Sequence, residues 1–368
     1  MGYVPHHKKT CEMIETLTRV PGYILMRKNG KPKLLPLNLT VSVTYKCNSK
    51  CKTCNIWDKK SVKELSSDEF RMVFNSIGST PYWVTLSGGE PFLRGDLTEI
   101  VGAVCEELDP SIVNIPTNGL VKNTPQIVEK IIKENPKTRF IINLSLDGVG
   151  VKHDEIRGVP GAFEKAVNTF HGLSSLTRGN LDLGIHTVVS KYNASEIGEL
   201  IAFSEQLKPS SYITEIAERR VELCNRESDI TPSIQEYEKA ANLLKAKLKN
   251  SKAQGIPKVI KTLRNEYYDL TLKTLEQQTQ VIPCFAGVCS AQITPDGYVW
   301  PCCVRADELG NLRDVDFDFK KIWFSGKARE VRRSIKNKEC YCPLANAAYT
   351  NMLCSPKTLI KIFFKVIS

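Results

Sequence analysis

From Leu37 onward the chain repeats one rhythm. A short run in which apolar and polar residues alternate is followed by a longer stretch with apolar residues every three or four positions. The first run, Leu37-Asn38-Leu39-Thr40-Val41-Ser42-Val43, has the period of two of a strand with one buried face. Further strands are expected at Trp83–Leu86, Ile112–Ile115, Arg139–Leu146, Leu183–Val189 and Tyr212–Ile216. Between them the longer period predicts helices to Ile77, over Asp96–Leu108, Pro125–Glu134, Ala162–Leu176 and Ser195–Leu207. Ser66-Ser67-Asp68-Glu69 has the capping-box spacing that starts such a helix, and Pro125 suits a first turn. Strands alternating with helices build parallel βαβ units. Six units are too few for a closed eight-stranded barrel, so the fold class is α/β with an open, partial (β/α)6 barrel over residues 37–220.

The flanks read differently. Residues 1–36 form a preamble with a short helix over Thr10–Thr18, a break at Pro21-Gly22 and a turn at Lys28–Pro32. Residues 221–282 hold two long charged helices, Ser233–Gln254 and Lys258–Gln277, expected to cross the barrel's open side. Residues 283–354 are loop-rich and cysteine-rich, the mark of a small second module. In the tail, 355–368, Lys357, Lys361 and Lys365 recur every four residues among apolar ones, which gives one basic helix face.

The 13 cysteines change the picture most. In a large chain without a signal-peptide pattern they point to metal or redox chemistry rather than disulfides, and a cytoplasmic location is expected. Cys47, Cys51 and Cys54 follow the first strand at a Cys-x3-Cys-x2-Cys spacing. Three thiolates on one loop can converge on one metal centre and leave one position open. Each of the first four strands ends in polar or glycine residues: the cysteine loop, then Gly88-Gly89-Glu90, then Thr117-Asn118-Gly119, then Ser145 with Asp147. In parallel α/β folds ligands bind at those carboxyl ends.

This combination resembles the radical S-adenosylmethionine (SAM) superfamily. The resemblance implies that Cys47, Cys51 and Cys54 hold a [4Fe–4S] cluster whose fourth iron takes the amino and carboxylate groups of SAM. Gly88, Gly89 and Glu90 would meet the SAM amino group. Thr117, Asn118, Ser145 and Asp147 would lie near its ribose and carboxylate, and Val188 and Val189 near its adenine. The implied reaction is reductive cleavage of SAM to a 5′-deoxyadenosyl radical that takes a hydrogen atom from the substrate. The family often places an aromatic residue before the third cysteine; here it is Thr53, with Tyr45 or Trp57 as possible substitutes. The later pattern Cys284-x12-Gly297-x4-Cys302, with a Pro-Asp-Gly hairpin, is similar to the opening of a SPASM or twitch extension. That implies an auxiliary [4Fe–4S] cluster on Cys284, Cys302, Cys340 and Cys342, with Cys289, Cys303 and Cys354 in reserve. Cys340-Tyr341-Cys342 departs from the full SPASM ending, so one auxiliary cluster is expected. A zinc-stabilised module has similar ligand needs.

The net charge of +11 admits nucleic acid, a membrane surface or an acidic protein partner, and a merely lysine-rich surface explains it equally well. No basic stripe is interleaved with aromatics, which argues against nucleic acid. Lys46, Lys50, Lys52, Lys59 and Lys60 around the cysteine loop suit an acidic electron donor such as flavodoxin or ferredoxin. SPASM-type enzymes often modify peptides, so a peptide or protein maturase is the first functional expectation. An enzyme acting on a lipid, isoprenoid or cell-envelope precursor at the membrane surface is the second, with the tail 355–368 as the contact. A non-catalytic metal-cluster protein that binds nucleic acid is the alternative of another class. His153, Asp154 and Arg157, and Glu215 to Arg220, are expected at the pocket mouth, and no general base is assigned.

Overall fold

The computed structural model describes residues 6–176, 179–250 and 256–367. Six parallel strands form the barrel wall: β1 (Asn38–Thr44), β2 (Trp83–Gly88), β3 (Ile112–Thr117), β4 (Arg139–Ser145), β5 (Leu181–Val189) and β6 (Ser211–Ile216). Helix α1 (His6–Asn29) precedes them. Between successive strands run α2 (Ser67–Ile77), α3 (Leu97–Leu108), α4 (Thr124–Glu134), the pair α5 (Val151–Arg157) and α6 (Ala162–Ser174), and α7 (Ile197–Leu207). The helix pair α8 (Ile234–Asn250) and α9 (Ile256–Gln277) follows. The last third holds β7 (Ser290–Ile293), β8 (Tyr298–Trp300), β9 (Gly310–Asn311), α10 (Phe319–Trp323), α11 (Gly326–Lys336), α12 (Ala345–Leu353) and α13 (Pro356–Ile367).

Strand alternation decides the two faces of this wall. Leu39, Val41 and Val43 of β1 lie wholly buried in the main core with Val84, Leu86, Val113, Ile115, Phe140, Ile142 and Leu144. Each such side chain contributes about 1.5–3 kcal/mol by leaving water. Many of the intervening positions are polar, among them Thr40, Ser42, Asn114, Asn143, His186 and Glu215, with Ile141, Val188 and Ile213 as apolar neighbours. The polar ones bond to one another across the strands, as Asn143 Nδ2 does to Asn114 Oδ1 at 2.7 Å. One face of the wall is thus a hydrophobic seam under the helices, and the other is a polar interior.

Both free edges of the wall are covered. The sheet continues past β1, in the order β6-β5-β4-β3-β2-β1-β7-β8-β9. β7 pairs in parallel with β1, and β8 returns antiparallel as the Pro-Asp-Gly hairpin predicts. At the other edge α9 packs on β6: Tyr268 OH lies 3.0 Å from Thr214 Oγ1, and Arg264 donates to the Tyr212 carbonyl. Unpaired strand edges are prone to wrong pairing, and these contacts occupy them.

Some elements differ from the sequence expectation. The break at Pro21-Gly22 does not occur; α1 runs through Pro21. Val20, Tyr23 and Met26 bury one face of that helix against Phe285, Val288 and Cys289, and this packing outweighs the lost hydrogen bond. The long helices cover the β6 edge. Helix α5 and helices α10 to α12 were not expected: α5 and α10 are only seven and five residues long, and α11 and α12 lie in a loop-rich, cysteine-rich stretch. The capping box at Ser66 and Glu69 is present as read.

Candidate functional site

The cysteine loop leaves β1 and is clamped from three sides. Gly89 N donates to Thr44 O and Glu90 N to Lys46 O, both at 2.8 Å. A Cβ on Gly88 or Gly89 would collide with those same backbone segments, and Gly88 sits at φ +118°. The two glycines therefore let the end of β2 lie flush against the cysteine loop. On the second side Asn118 Nδ2, at the end of β3, donates to Asn48 Oδ1 (2.7 Å) and Ser49 Oγ (3.0 Å), with Cys47 Sγ at 4.0 Å. On the third side Lys50 N and Lys52 N donate to the Arg157 and Ile156 carbonyls at the end of α5.

Glu90 is wholly buried and holds this end of the barrel together. Its carboxylate accepts from Thr117 Oγ1 (2.9 Å), Asn118 N (2.7 Å) and Phe92 N (3.2 Å). Burial pushes its pKa up to about 7, against the pull of those donors and of Arg157. Each carboxylate oxygen has two acceptor directions, so the group can still receive an ammonium. Asp147 is equally buried. It accepts from Val188 N at 2.9 Å and pairs with Arg157 at 2.8 Å. Ser145 is half-buried at the end of β4, where it pairs in register with His186.

Arg157 is the residue whose role the sequence did not reveal. Its guanidinium stands 3.7 Å from Cys51 Sγ. Burial works against its charge, yet Asp147 and the nearby Cys51 sulfur hold its pKa above the ordinary value. Burial also pushes the thiols of Cys47 and Cys54 up, to about 11 and about 12. Thiolates in such a place need a cation or metal to stay ionised, and Arg157 is a cation within reach of Cys51. Thr53 is buried, and its carbonyl accepts from Asn225. Tyr45 turns away to the C-terminal hairpin, where its hydroxyl meets Asp296 at 3.2 Å. Trp57 stays on the surface, its indole nitrogen donating to Cys54 O. Val189 is buried in the helix-side core, while Val188 is half-buried on the opposite face.

In the C-terminal module Cys284, Cys302, Cys340 and Cys342 line one common cavity. Burial raises the thiols of Cys284, Cys302 and Cys342, the second to about 12. Arg305 and Gln280 each reach Cys340 Sγ at 3.9 Å, and Gln280 also bridges the Ile335 and Cys340 carbonyls. The reserve cysteines lie elsewhere. Cys289 and Cys354 face each other, sulfurs 3.5 Å apart, in the α1 core. Cys303 is buried with Leu344 and Ala347, within the field of Arg220. Among the described residues no three His, Cys, Asp or Glu side chains close around a single ion. A four-iron cluster binds each thiolate on a different iron, a wider arrangement than zinc requires.

Between the two cysteine groups runs the segment after β6. Glu222 acts on both Cys54 and Cys303. Its carboxylate accepts from Ser42 Oγ at 2.9 Å and from Gln292, which joins β1, β7 and this segment inside the barrel. Arg220 pairs with Glu215 (3.2 Å) and Glu218 (3.5 Å), and His186 stands 3.9 Å from Glu215. Burial pushes Glu218 up to about 7. Glu218 Oε2 and Arg220 Nε have only their mutual ion pair, and Asn143 Oδ1 has no hydrogen-bond partner.

Comparison with known proteins agrees with this geometry. Residues 41–204 match the model of the radical SAM superfamily, and residues 284–343 match that of the SPASM iron–sulfur cluster-binding domain. An AdoMet-dependent heme synthase from Methanosarcina barkeri is 29% identical over 332 residues, which span 86% of this chain and 88% of that protein. Mycofactocin maturase MftC from Mycolicibacterium smegmatis is 29% identical over 185 residues, 49% of this chain and 45% of its own. The crystal structure of Streptococcus suis SuiB superposes with a TM-score of 0.62 at 17% identity, over 87% of this chain and 73% of SuiB, a likeness of fold. Two cysteine sites, a partial barrel between them and both family matches lead to one conclusion: the chain belongs to the radical SAM enzymes with a SPASM domain, which use S-adenosylmethionine and [4Fe–4S] clusters.

Proposed function

We propose that this enzyme abstracts a hydrogen atom from a peptide side chain held in the polar barrel interior, as a maturase. When bound, the cluster and SAM supply the 5′-deoxyadenosyl radical. In this reading Cys47, Cys51 and Cys54 hold the first cluster, and Arg157 offsets its negative charge. Glu90, braced by Thr117 and Asn118, receives the SAM ammonium, while Asp147 keeps Arg157 in place. Cys284, Cys302, Cys340 and Cys342 hold an auxiliary cluster that has all four protein ligands. Such a centre suits electron relay from the product radical better than direct ligation of substrate. Exposed Lys46, Lys50, Lys52 and Lys60 around the loop suit docking of an acidic flavodoxin or ferredoxin.

One observation carries the peptide reading. The interior between the two cysteine groups is lined by hydrogen-bonding groups, among them Ser42, Asn114, His186 and Glu215, and buried Asn143 keeps its Oδ1 without a partner. Buried polar atoms of this kind call for a ligand with polar functions of its own. A second reading rests on the relatives matched along most of their length, named AdoMet-dependent heme synthase and Fe-coproporphyrin III synthase; it makes the substrate a tetrapyrrole. The experiment gives the reconstituted, reduced enzyme deuterated candidate peptides in one arm and deuterated iron coproporphyrin in the other. Deuterium in 5′-deoxyadenosine from the peptide arm supports the maturase. Label from the porphyrin arm alone replaces it with the second reading.

A further inference from the structure

We infer that the end of the molecule formed by α8, α9 and α13 is a docking surface for an anionic lipid bilayer. The inference is independent of which substrate the barrel takes. It starts from how α13 is seated. Thr358 and Ile362 are its buried side. Lys361 and Lys365, one turn apart, both reach Glu266 on α9 and fasten the helix there. At about 100° per residue, Ile360 and Phe364 then fall together on the outer side. They are 59% and 66% exposed, among the most exposed large apolar side chains described. Lys357 lies between this apolar ridge and the row of Lys361 and Lys365. An apolar strip bordered by lysines on a short helix is the arrangement that lies in a membrane interface.

A second feature adjoins the first. A cleft of about 440 Å³ is lined by Lys245, Lys258, Lys261 and Lys365, with Thr262, Asn265 and Asp269. Lys245 pairs with Asp269, and Lys365 with Glu266. Lys261 also donates to the Lys249 carbonyl. Asp269 and Glu266 offset two of the four lysines, which leaves the cleft about two positive charges in excess and its field positive. A free phosphate could use the lysines but not the ridge. A nucleic acid has no use for an exposed isoleucine and phenylalanine beside its phosphates. A bilayer with anionic headgroups uses both at once: phosphates meet the lysines, and the two side chains enter the headgroup–acyl boundary. The contact is peripheral, because no helix among the described residues is long and apolar enough to cross a membrane.

The test uses the full-length, cluster-loaded protein and sedimentation with vesicles. One set is phosphatidylcholine alone; the other contains about 30% phosphatidylglycerol. The protein is expected to bind the anionic vesicles only, and to leave them at about 0.5 M salt, where screening is nearly complete. I360S/F364S and, separately, K258Q/K261Q should each weaken binding by roughly tenfold or more. Iron content and SAM cleavage should stay unchanged in both, since neither pair touches the cysteine sites or the barrel interior. The two arms are independent, so misfolding of one variant leaves the other decisive. Absence of binding to anionic vesicles overturns the inference. So does equal binding to neutral ones, or undiminished binding by both variants. Binding of a short DNA duplex that matches the vesicles and ignores I360S/F364S would assign the charge to nucleic acid instead.

Discussion

Replacing Arg157 by glutamine removes a buried cation 2.8 Å from Asp147 and 3.7 Å from the sulfur of Cys51. With an effective dielectric near 20, a unit charge at 3.7 Å is worth about 4–5 kcal/mol to that thiolate. An electron added to the bound cluster is spread farther away; at roughly 7 Å the same relation gives about 2.4 kcal/mol, or about 100 mV for one electron. Loss of the cation disfavours the reduced state, so the midpoint potential of R157Q should fall by on the order of 100 mV. Asp147 is then left charged and buried, which should cost about 3–5 kcal/mol of stability. R157Q/D147N should recover most of that stability, because asparagine can still accept from Val188 N, and its potential should lie between the other two. The assay is an EPR-monitored redox titration at matched iron content, with thermal unfolding of the same samples. An R157Q potential within about 20 mV of wild type, with the first cluster fully loaded, would refute the electrostatic reasoning.

The remaining predictions follow from the same contacts. C284A/C302A should lower iron from roughly eight to roughly four per chain and abolish substrate turnover while SAM cleavage persists; C289A/C354A should leave the iron count unchanged. Colorimetric iron and 5′-deoxyadenosine by chromatography check both. G89A should fail to retain the first cluster, because its Cβ meets the Lys46 carbonyl; full iron with normal SAM cleavage would contradict the clamp. Glu218 has a folded-state pKa pushed from 4.5 up to about 7, so the folded apo protein holds the extra proton in that interval. Stability should therefore fall as pH rises from 4.5 to about 7, by on the order of 3 kcal/mol for this group, and E218Q should flatten that slope in pH-dependent chemical denaturation.

The barrel and its cysteine loop were legible because their signals are local. Strand alternation names the buried face, and Cys47, Cys51 and Cys54 sit within eight residues on one loop. Gly88 and Gly89 were legible as a close approach, but the structure gives the approach to the cysteine loop itself. What stayed hidden is tertiary closure. Arg157 reaches Cys51 across 106 positions, and Gln292 reaches Ser42 across 250. No spacing rule connects such residues. Cys289 and Cys354 stood only in reserve to the expected auxiliary ligands; the fold places them against Tyr23 in the α1 core. Pro21 misled for the same reason: Phe285, Val288 and Cys289, which pack on α1 around it, lie more than 260 residues away.

The central claim is that two separate cysteine sites flank one polar barrel, and that only the first of them cleaves SAM. Anaerobic reconstitution of wild type and of C47A/C51A/C54A, with iron, sulfide and 5′-deoxyadenosine measured after reduction, tests this directly. Wild type should hold roughly eight irons and release 5′-deoxyadenosine; the triple variant should keep roughly four irons and release none. A triple variant that loses all its iron, or one that still yields 5′-deoxyadenosine, would contradict the account.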